Sequence, residues 1–321
     1  MTRVLLTGAA GFIGSHVAAA LLARGDQVVG VDNFDPFYPR PVKEANLAGL
    51  QGHPGFEFRE LDILDQAGLR ALLTSDTVVV HLAAKAGVRP SLADPAGYAR
   101  ANVMGTQSVV DAARAAGVVR FVFGSSSSVY GDDTPIPFRE DAPCIHPISP
   151  YAATKRAGEL ILEALAPHAG LRVASLRFFT VYGPRQRPDL AIHTFTRRMA
   201  AGQPITMYGD GTEARDYTYI DDIVAGVLAA TDWTAGAPVG VEPFNLGGNE
   251  SIPLARLIDE IAGALGVTPR VERAGRQPGD VRRTAADIAK SRRVLGYQPR
   301  TPFPEGIRRF VAWFRETHAR Q

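Results

Sequence analysis

The sequence contains little of what redox and metal sites require. Cys144 is the only cysteine among 321 residues, which excludes an internal disulfide, a Cys-x-x-Cys redox pair and a cysteine zinc site. Cys144 belongs to no motif that indicates a thiol nucleophile. We therefore expect a protein without a metal ion and without disulfide chemistry.

Long apolar runs are also missing. The chain has no apolar run of about 18 residues. Its N-terminus passes directly into Val4-Leu5-Leu6, without the charged segment and extended apolar core of a signal peptide. These absences predict a soluble, cytoplasmic protein that does not associate with a membrane.

Positive and negative charges are nearly equal in number. The formal net charge is +2, and no basic run with interleaved aromatic residues occurs, so nucleic acid is not an expected partner. Lysine is scarce, since only Lys43, Lys85, Lys155 and Lys290 occur among 35 basic residues. Hydrophobic residues make up 45% of the chain, which is enough for a large buried core.

Segments typical of strands and helices alternate through the first half of the chain. Strands separated by helices of this length predict an α/β fold with a Rossmann-type, doubly wound parallel sheet. The strands are expected at 3–6, 27–31, 77–82, 120–123 and 172–177, and the helices at 13–24 and 103–116.

The pattern changes after Pro184, where polar turns and Pro/Gly-rich stretches interrupt shorter elements. We therefore expect a dinucleotide-binding domain over 1–184 and a smaller α/β substrate domain over 185–321. The boundary is soft, because segments of the second domain can return to the main sheet.

A glycine-rich turn, Gly8-Ala-Ala-Gly11-Phe-Ile-Gly14, follows the first strand and opens the first helix. Such glycines allow a tight turn and close approach of a pyrophosphate, which the helix N-terminus then binds. Asp32 ends the second strand, where a carboxylate accepts hydrogen bonds from ribose hydroxyls and repels a 2′-phosphate. This pattern predicts NAD rather than NADP, and Asp62 is a further candidate beside the adenine, with a solvated strand-end aspartate as the alternative.

Tyr151 and Lys155 lie four residues apart at the start of a predicted helix. This spacing places both side chains on one helical face. A nearby ammonium favours the phenolate and lowers the tyrosine pKa, which suits a base that takes a proton from a sugar hydroxyl. By itself the Tyr-x-x-x-Lys pattern is also common on the surface of helices.

Together these motifs resemble the extended short-chain dehydrogenase/reductases, in particular their nucleotide-sugar epimerase branch, over essentially the whole chain. Further matching segments are His81–Ala84, Asn102–Thr106, Ser125–Ser128, Arg177–Pro184 and Arg215–Asp222. The resemblance implies a tightly held NAD that oxidises the C4 hydroxyl of a UDP-sugar. The 4-keto sugar then turns in the pocket, and hydride returns to its other face.

The resemblance also implies roles for individual residues. Tyr151 is the expected base, Lys155 its electrostatic partner, and Ser126 the hydroxyl that bonds the reacting oxygen, although the serine run can also be a polar strand-to-loop transition. Asn102 is expected to support the site rather than take part in chemistry. The expected cofactor residues are Gly8, Gly11, Phe12, Ile13, Gly14, Asp32, Asn33, Asp62, Ile63, Leu82, Ala83, Ala84, Asn102, Tyr151 and Lys155.

The choice of sugar depends on a departure from the family pattern. Related dehydratases and uronate decarboxylases carry an acidic residue immediately before Val-Tyr-Gly, and this chain has Ser128 there. We expect Ser127, Ser128 and Thr180 to bond a sugar carboxylate without repelling it. Ala86–Ser91, which contains Arg89, and Pro188–Ala191 resemble segments of UDP-glucuronate 4-epimerases, and Arg187 supplies further positive charge. UDP-glucuronate is therefore the expected substrate.

The UDP end is assigned by the same resemblance. Arginine suits a diphosphate because its planar donors match phosphate oxygens. The expected contacts are Arg215 and Arg276 to the diphosphate, Asp280 to the uridine ribose, and Thr206 and Tyr208 beside the uracil.

The sequence leaves three alternative functions open. The first is a UDP-glucose/UDP-galactose 4-epimerase, the second a UDP-glucuronate decarboxylase, and the third a non-catalytic NAD-binding regulator. The resemblance further implies a homodimer that pairs through the helices near 103–116 and 154–165.

Overall fold

The fold is taken from a computed structural model that describes residues 1–248, 250–275 and 283–318. The strands are β1 (Arg3–Thr7), β2 (Gln27–Asp32), β3 (Phe56–Glu60), β4 (Val78–His81), β5 (Arg120–Ser126), β6 (Arg172–Phe178), β7 (Thr180–Tyr182), β8 (Ile205–Tyr208), β9 (Ala214–Tyr219), β10 (Gly240–Leu246), β11 (Ser251–Pro253) and β12 (Val271–Ala274). The helices are α1 (Phe12–Ala23), α2 (Arg40–Leu47), α3 (Gln66–Ala71), α4 (Val88–Ala93), α5 (Pro95–Tyr98), α6 (Gly105–Ala115), α7 (Pro150–Ala169), α8 (Ala191–Ala200), α9 (Ile220–Trp233), α10 (Leu254–Leu265), α11 (Ala289–Leu295) and α12 (Phe303–His318).

The central sheet has seven strands in the order β10-β6-β5-β4-β1-β2-β3, and every pairing within it is parallel. The predicted Rossmann-type parallel sheet is therefore confirmed. The strand order reverses between β1 and β4, and a crevice at such a switch point, outside the carboxyl ends of the strands, is where this fold binds ligands.

Burial explains why the central strands are continuous apolar runs. Val4, Leu5 and Leu6 of β1 and the three valines of β4 are completely buried, because helices cover both faces of a parallel sheet. Two clusters of buried side chains lie on the two faces: one includes Val4 and Leu6, the other Leu5. The alternation along β1 thus builds both halves of the core.

The second half of the chain returns once to the main sheet. β10 pairs with β6 at its edge, while β7, β9 and β11 form a three-stranded sheet and β8 and β12 a two-stranded one. The division into 1–184 and 185–321 stays a prediction. None of the helices in the described ranges is long and apolar enough to cross a membrane.

One predicted helix has an unexpected start. The stretch predicted as helix from 103 begins inside a π-helical segment, Ala99–Met104, which runs into α6. Such widened turns are rare and are found mostly at functional sites. Here the turn carries Asn102 into the interior, where only 2% of the residue is exposed.

Candidate active site

A cleft of about 480 Å³ lies at the carboxyl ends of the central strands. Its wall is formed by the turn after β1, the ends of β2, β4, β5 and β6, and the start of α7. The cleft therefore occupies the switch point of the sheet, where the glycine turn and the Tyr/Lys pair face one space.

The glycine turn has the geometry of a pyrophosphate cradle. Gly8 adopts φ +74°, and its N–H donates to the Val31 carbonyl at 2.8 Å. A Cβ at Gly14 would stand 2.0 Å from the Gly8 carbonyl oxygen, so no larger residue fits there. Because α1 begins at Phe12, its first-turn N–H groups lack intrahelical acceptors and face the cleft as an anion site.

Asp32 stands at the far edge of the same cradle. Its Oδ2 accepts from the Ala10 N–H at 3.2 Å and its Oδ1 from the Phe34 N–H at 2.9 Å. Lys43 Nζ lies 3.7 Å from Oδ1. The carboxylate is thus held in place at the position where a ribose would lie, and the cradle and the carboxylate together fit NAD.

The expected adenosine contacts also meet. Asn33 Nδ2 donates to Asp62 Oδ2 at 3.0 Å, and Asp62 Oδ1 accepts from the Leu64 N–H at 2.8 Å. Both side chains line the cleft beside Ile63.

Asn102 is the one expected cofactor residue that the cleft wall does not include. Its Oδ1 accepts from the Lys85 N–H at 2.8 Å, and its Nδ2 donates to the Lys85 carbonyl at 2.9 Å and to Thr154 Oγ1 at 3.0 Å. Asn102 therefore ties the loop after β4 to α7, which agrees with a supporting role and not with direct cofactor contact.

The first two turns of α7 present the Tyr/Lys pair. The helix begins at Pro150, and Ser149 caps it by accepting from the Ala152 N–H at 3.1 Å. Lys155 is buried, and its Nζ donates to the Gly124 carbonyl at 2.7 Å. Burial lowers the pKa of the Lys155 ammonium to about 8, so it is protonated at neutral pH.

The pKa of Tyr151 differs from the expectation. Burial raises it above the ordinary value, and the hydrogen bond with Ser126 and the charge of Arg187 only partly oppose this effect. The phenolate was expected to be favoured by Lys155, but the Lys155 ammonium bonds the end of β5 instead. In the protein alone the cation that acts on Tyr151 is Arg187, and the phenol keeps its proton at neutral pH.

The serine run divides into two halves. Ser125 and Ser126 end β5 and line the cleft. Ser127 and Ser128 begin a short 3₁₀ turn outside the cleft wall. The Ser128 hydroxyl donates to Ser126 Oγ at 2.9 Å, so Ser128 orients Ser126. Ser127 and Ser128 are thus not part of the cleft wall, and their contact with a sugar carboxylate stays a prediction.

The expected sugar contacts are only partly brought together. Thr180 and Arg187 line the cleft. Arg187 pairs with Asp189 at 2.8 Å, and its Nη2 donates to the Ala86 carbonyl at 3.3 Å. Burial disfavours its charge, but Asp189 more than compensates and raises the pKa of Arg187.

The other expected substrate residues lie away from the cleft wall. The Arg89 guanidinium stacks over the Tyr208 ring at 5.2 Å. Thr206 lies on the same strand as Tyr208, and Arg215 on β9. Arg276 and Asp280 lie outside the described residues.

Several residues of the cleft wall were not predicted. Lys43 is one of them. The scarcity of lysine in the chain was the only signal in the sequence that could have pointed to it. Phe37 and Tyr38 of the loop after β2 are others, and Phe37 packs under Arg187 at 4.9 Å. Tyr98 places its ring edge against Tyr151, with 6.2 Å between centroids. These contacts depend on how distant loops fold together.

Comparisons with known proteins agree with this geometry. The model of the NAD dependent epimerase/dehydratase family matches residues 4–247. A UDP-glucuronate 4-epimerase of Thermodesulfobacterium geofontis is 38% identical, over 98% of this chain and 97% of the relative. The crystal structure of UDP-glucuronic acid 4-epimerase from Bacillus cereus in complex with UDP-glucuronic acid and NAD is 37% identical, with a TM-score of 0.93 over 98% of this chain and 100% of that chain.

A UDP-glucose 4-epimerase from Thermotoga maritima, crystallised with UDP-glucose, is also similar. It has 33% identity and a TM-score of 0.89, over 99% of this chain and 100% of that chain. The likeness to both structures extends over the whole fold and is not restricted to the dinucleotide end.

Proposed function

Because the chain belongs to the NAD dependent epimerase/dehydratase family, we propose that it is a UDP-glucuronate 4-epimerase that interconverts UDP-glucuronate and UDP-galacturonate. The observation that carries this proposal is the convergence of Tyr151, Ser126, Thr180 and Arg187 on the cleft that also holds the glycine cradle. The relatives named above that act on UDP-glucuronate match nearly the full length of the chain.

Tyr151 and Ser126 perform the proton chemistry. Their side chains share a hydrogen bond, so a sugar C4 hydroxyl placed between them is held by the serine and, once the phenol has lost its own proton to solvent, passes its proton to the phenolate. Hydride transfer from and to C4 would be supplied by NAD held on the Gly8–Gly14 turn, and the positive charge of its nicotinamide ring would favour that phenolate. Tyr151 then returns the proton, and Lys155 holds a positive charge behind the site throughout.

Thr180 and Arg187 are suited to the uronate carboxylate. Oxidation at C4 makes a β-keto acid, which loses carbon dioxide easily unless its carboxylate is held in the plane that resists cleavage. A hydroxyl and a guanidinium both bind a carboxylate, and neither repels it. This pair therefore replaces the predicted trio of Ser127, Ser128 and Thr180.

Two observations favour a second candidate, a UDP-glucose 4-epimerase. Ser127 and Ser128 lie outside the cleft wall, so fewer hydroxyls are available to a carboxylate than the sequence indicated. Arg187 is already paired with Asp189, which leaves less positive charge for a uronate.

A substrate comparison distinguishes the two. Purified protein is incubated with UDP-glucuronate or with UDP-glucose, without added cofactor, and products are followed by NMR. UDP-galacturonate from the uronate, with little product from UDP-glucose, supports the first proposal. UDP-galactose from UDP-glucose alone would establish the second, and turnover of neither would overturn both.

A homodimer and a cytoplasmic location also remain proposals. Met104 and Leu160, on the two segments expected to pair, are 57% and 48% exposed, and exposed apolar side chains on adjacent helices suit a subunit interface. The mass in solution at micromolar concentration tests the dimer. A monomer mass would contradict it, and Leu160→Glu is expected to produce one if the dimer forms through this face.

A further inference from the structure

The helix that carries the Tyr/Lys pair bonds the end of β5 at successive strand positions. Lys155 Nζ donates to the Gly124 carbonyl at 2.7 Å, and one turn later Glu159 Oε1 accepts from the Ser125 hydroxyl at 2.7 Å. One turn earlier on the same face, Tyr151 shares a hydrogen bond with Ser126. Three turns of α7 thus contact the last three residues of β5, although not in strand order, and these contacts fix where the helix lies on the end of the strand.

Glu159 is built into this contact as a charged group. Only 1% of the residue is exposed, and Arg177 binds both carboxylate oxygens, at 2.9 and 3.0 Å. Arg156 adds a third bond at 2.9 Å. Burial alone would raise the pKa of Glu159, but Arg177, Ser125 and Arg156 together outweigh it and hold the pKa below its usual range. The carboxylate is therefore ionised at neutral pH.

Lys155 needs such a counter-charge. The groups that face it are Glu159 on its own helix and His81 from β4. Burial and the neighbouring ammonium lower the pKa of His81 to about 3, so His81 is neutral and offers no compensation. Glu159 opposes the effect of burial on Lys155.

We propose that Glu159 is a positioning residue for the reaction: it keeps α7 in register with Gly124–Ser126, so that Tyr151 meets Ser126, and it is the buried counter-charge one helical turn from Lys155. The kinetic part of this proposal rests on the proposed function, whereas the charge of Lys155 does not depend on the substrate. Glu159 touches neither the cleft nor the reacting atoms, since Lys155 and Ser125 stand between them.

The charge of Lys155 is measured by NMR titration of protein labelled with ¹³C at the lysine ε carbons. The chain has four lysines, so the spectrum is simple, and Lys155→Met identifies the signal. We expect a midpoint near pH 8 in the native protein. In Glu159→Gln it falls by about one pH unit, because a unit charge one helical turn away is removed. An unchanged midpoint would overturn the proposal.

Glu163→Gln is the matched control. Glu163 lies one turn further along α7, also accepts from Arg156 at 2.9 Å, and is 45% exposed. Its loss leaves the Lys155 midpoint in place. An equal shift in this variant would show a general charge effect and would contradict a specific role for Glu159.

Glu159→Gln leaves the Arg177 guanidinium buried without its partner and can therefore prevent folding. A second variant tests the register of α7 on β5 without leaving a buried charge unpaired. Ser125→Ala removes one hydroxyl and no charge. We expect kcat to fall about fivefold, the equivalent of one hydrogen bond, with KM and the Lys155 midpoint unchanged. Full kcat in this variant would refute the register role. If the native protein turns over no UDP-sugar, the proposed function fails while the titration still decides the charge.

Discussion

The dinucleotide end and the sugar end of the cleft are built in different ways. At the dinucleotide end, short continuous segments such as Gly11–Gly14 and Leu82–Ala84 line the wall in full. At the sugar end, Thr180 belongs to the lining segment Phe178–Val181, but Arg187 reaches the wall as a single residue of a later loop, so the two meet only in the folded chain. One end is a local property of the chain, and the other results from tertiary packing.

Sequence spacing determines the contacts at the dinucleotide end of the cleft but not those at the sugar end. A glycine turn places its N–H groups by backbone geometry alone, so its ligand site is present once the strand and helix form. Arg187 reaches the cleft only because Phe37 and Asp189 hold it from two other positions. Ser127, which the sequence also predicts to contact the sugar carboxylate, is not part of the cleft wall.

The largest loss of activity is expected from a substitution where the two ends of the cleft meet. Tyr151→Phe removes the proton acceptor and should lower kcat about 10²- to 10⁴-fold, the usual contribution of general acid–base catalysis. Bound NAD, measured by absorbance after denaturation, should be unchanged, because the cradle is untouched. Tyr98→Phe is the control: it keeps the ring beside Tyr151 and loses only a bond to the Ala86 carbonyl. A loss as large as that of Tyr151→Phe in this control would contradict the assignment.

A second substitution is expected to disrupt the dinucleotide end of the cleft and to leave the sugar end intact. In Gly14→Ala the new Cβ meets the Gly8 carbonyl oxygen at 2.0 Å, so the turn must move. We expect a loss of about 3 kcal/mol in unfolding free energy, typical of severe strain, and little bound NAD, measured by denaturant titration and by absorbance. Gly263→Ala, where nothing lies within 4 Å, should leave both values unchanged or slightly raise stability. Normal NAD content in Gly14→Ala would show that the cradle is not the pyrophosphate site.

A third substitution tests the sugar end alone. Thr180→Ala should raise KM for UDP-glucuronate about tenfold to a hundredfold, the equivalent of a hydrogen bond to a charged group, and should increase the decarboxylated UDP-pentose. NAD content should not change. Ser127→Ala serves as the control, because Ser127 lies outside the cleft wall. Equal effects of both variants, measured by NMR of the products, would restore the serine run to the carboxylate site.

The smallest effect concerns stability beneath the dinucleotide end. His81 bonds Thr7 at 2.7 Å and Thr106 at 3.1 Å, and burial lowers its pKa to about 3. Below about pH 6.5 the unfolded chain binds a proton at His81 that the native state does not bind, so stability falls as pH drops from 6.5 toward 3. The slope from this group reaches about 1.4 kcal/mol per pH unit.

Denaturant titrations between pH 7 and 4 measure that slope. His81→Asn should reduce it, whereas His168→Gln, at an exposed position on α7, should not. An undiminished slope in His81→Asn would mean that other groups cause the loss of stability in acid.

Much of the fold could be predicted because its signals are local. The apolar runs of β1 and β4 and the glycine turn each indicate one element, and parallel pairing follows from the helices between them. The π-helical start around Asn102 could not be predicted, because it depends on bonds from Asn102 to Lys85 and Thr154. The prediction of a lowered pKa for Tyr151 was wrong for a similar reason. Lys155 bonds the Gly124 carbonyl, and the four-residue spacing of the pair does not reveal this contact.

The central claim is that one sugar gives up and receives back the same hydride in a cleft that accepts UDP-glucuronate. UDP-glucuronate labelled with deuterium at C4, incubated in ordinary water, tests it directly by NMR and mass spectrometry. We expect UDP-galacturonate that retains deuterium at C4. UDP-galacturonate with solvent hydrogen at C4, or no UDP-galacturonate at all, would contradict it.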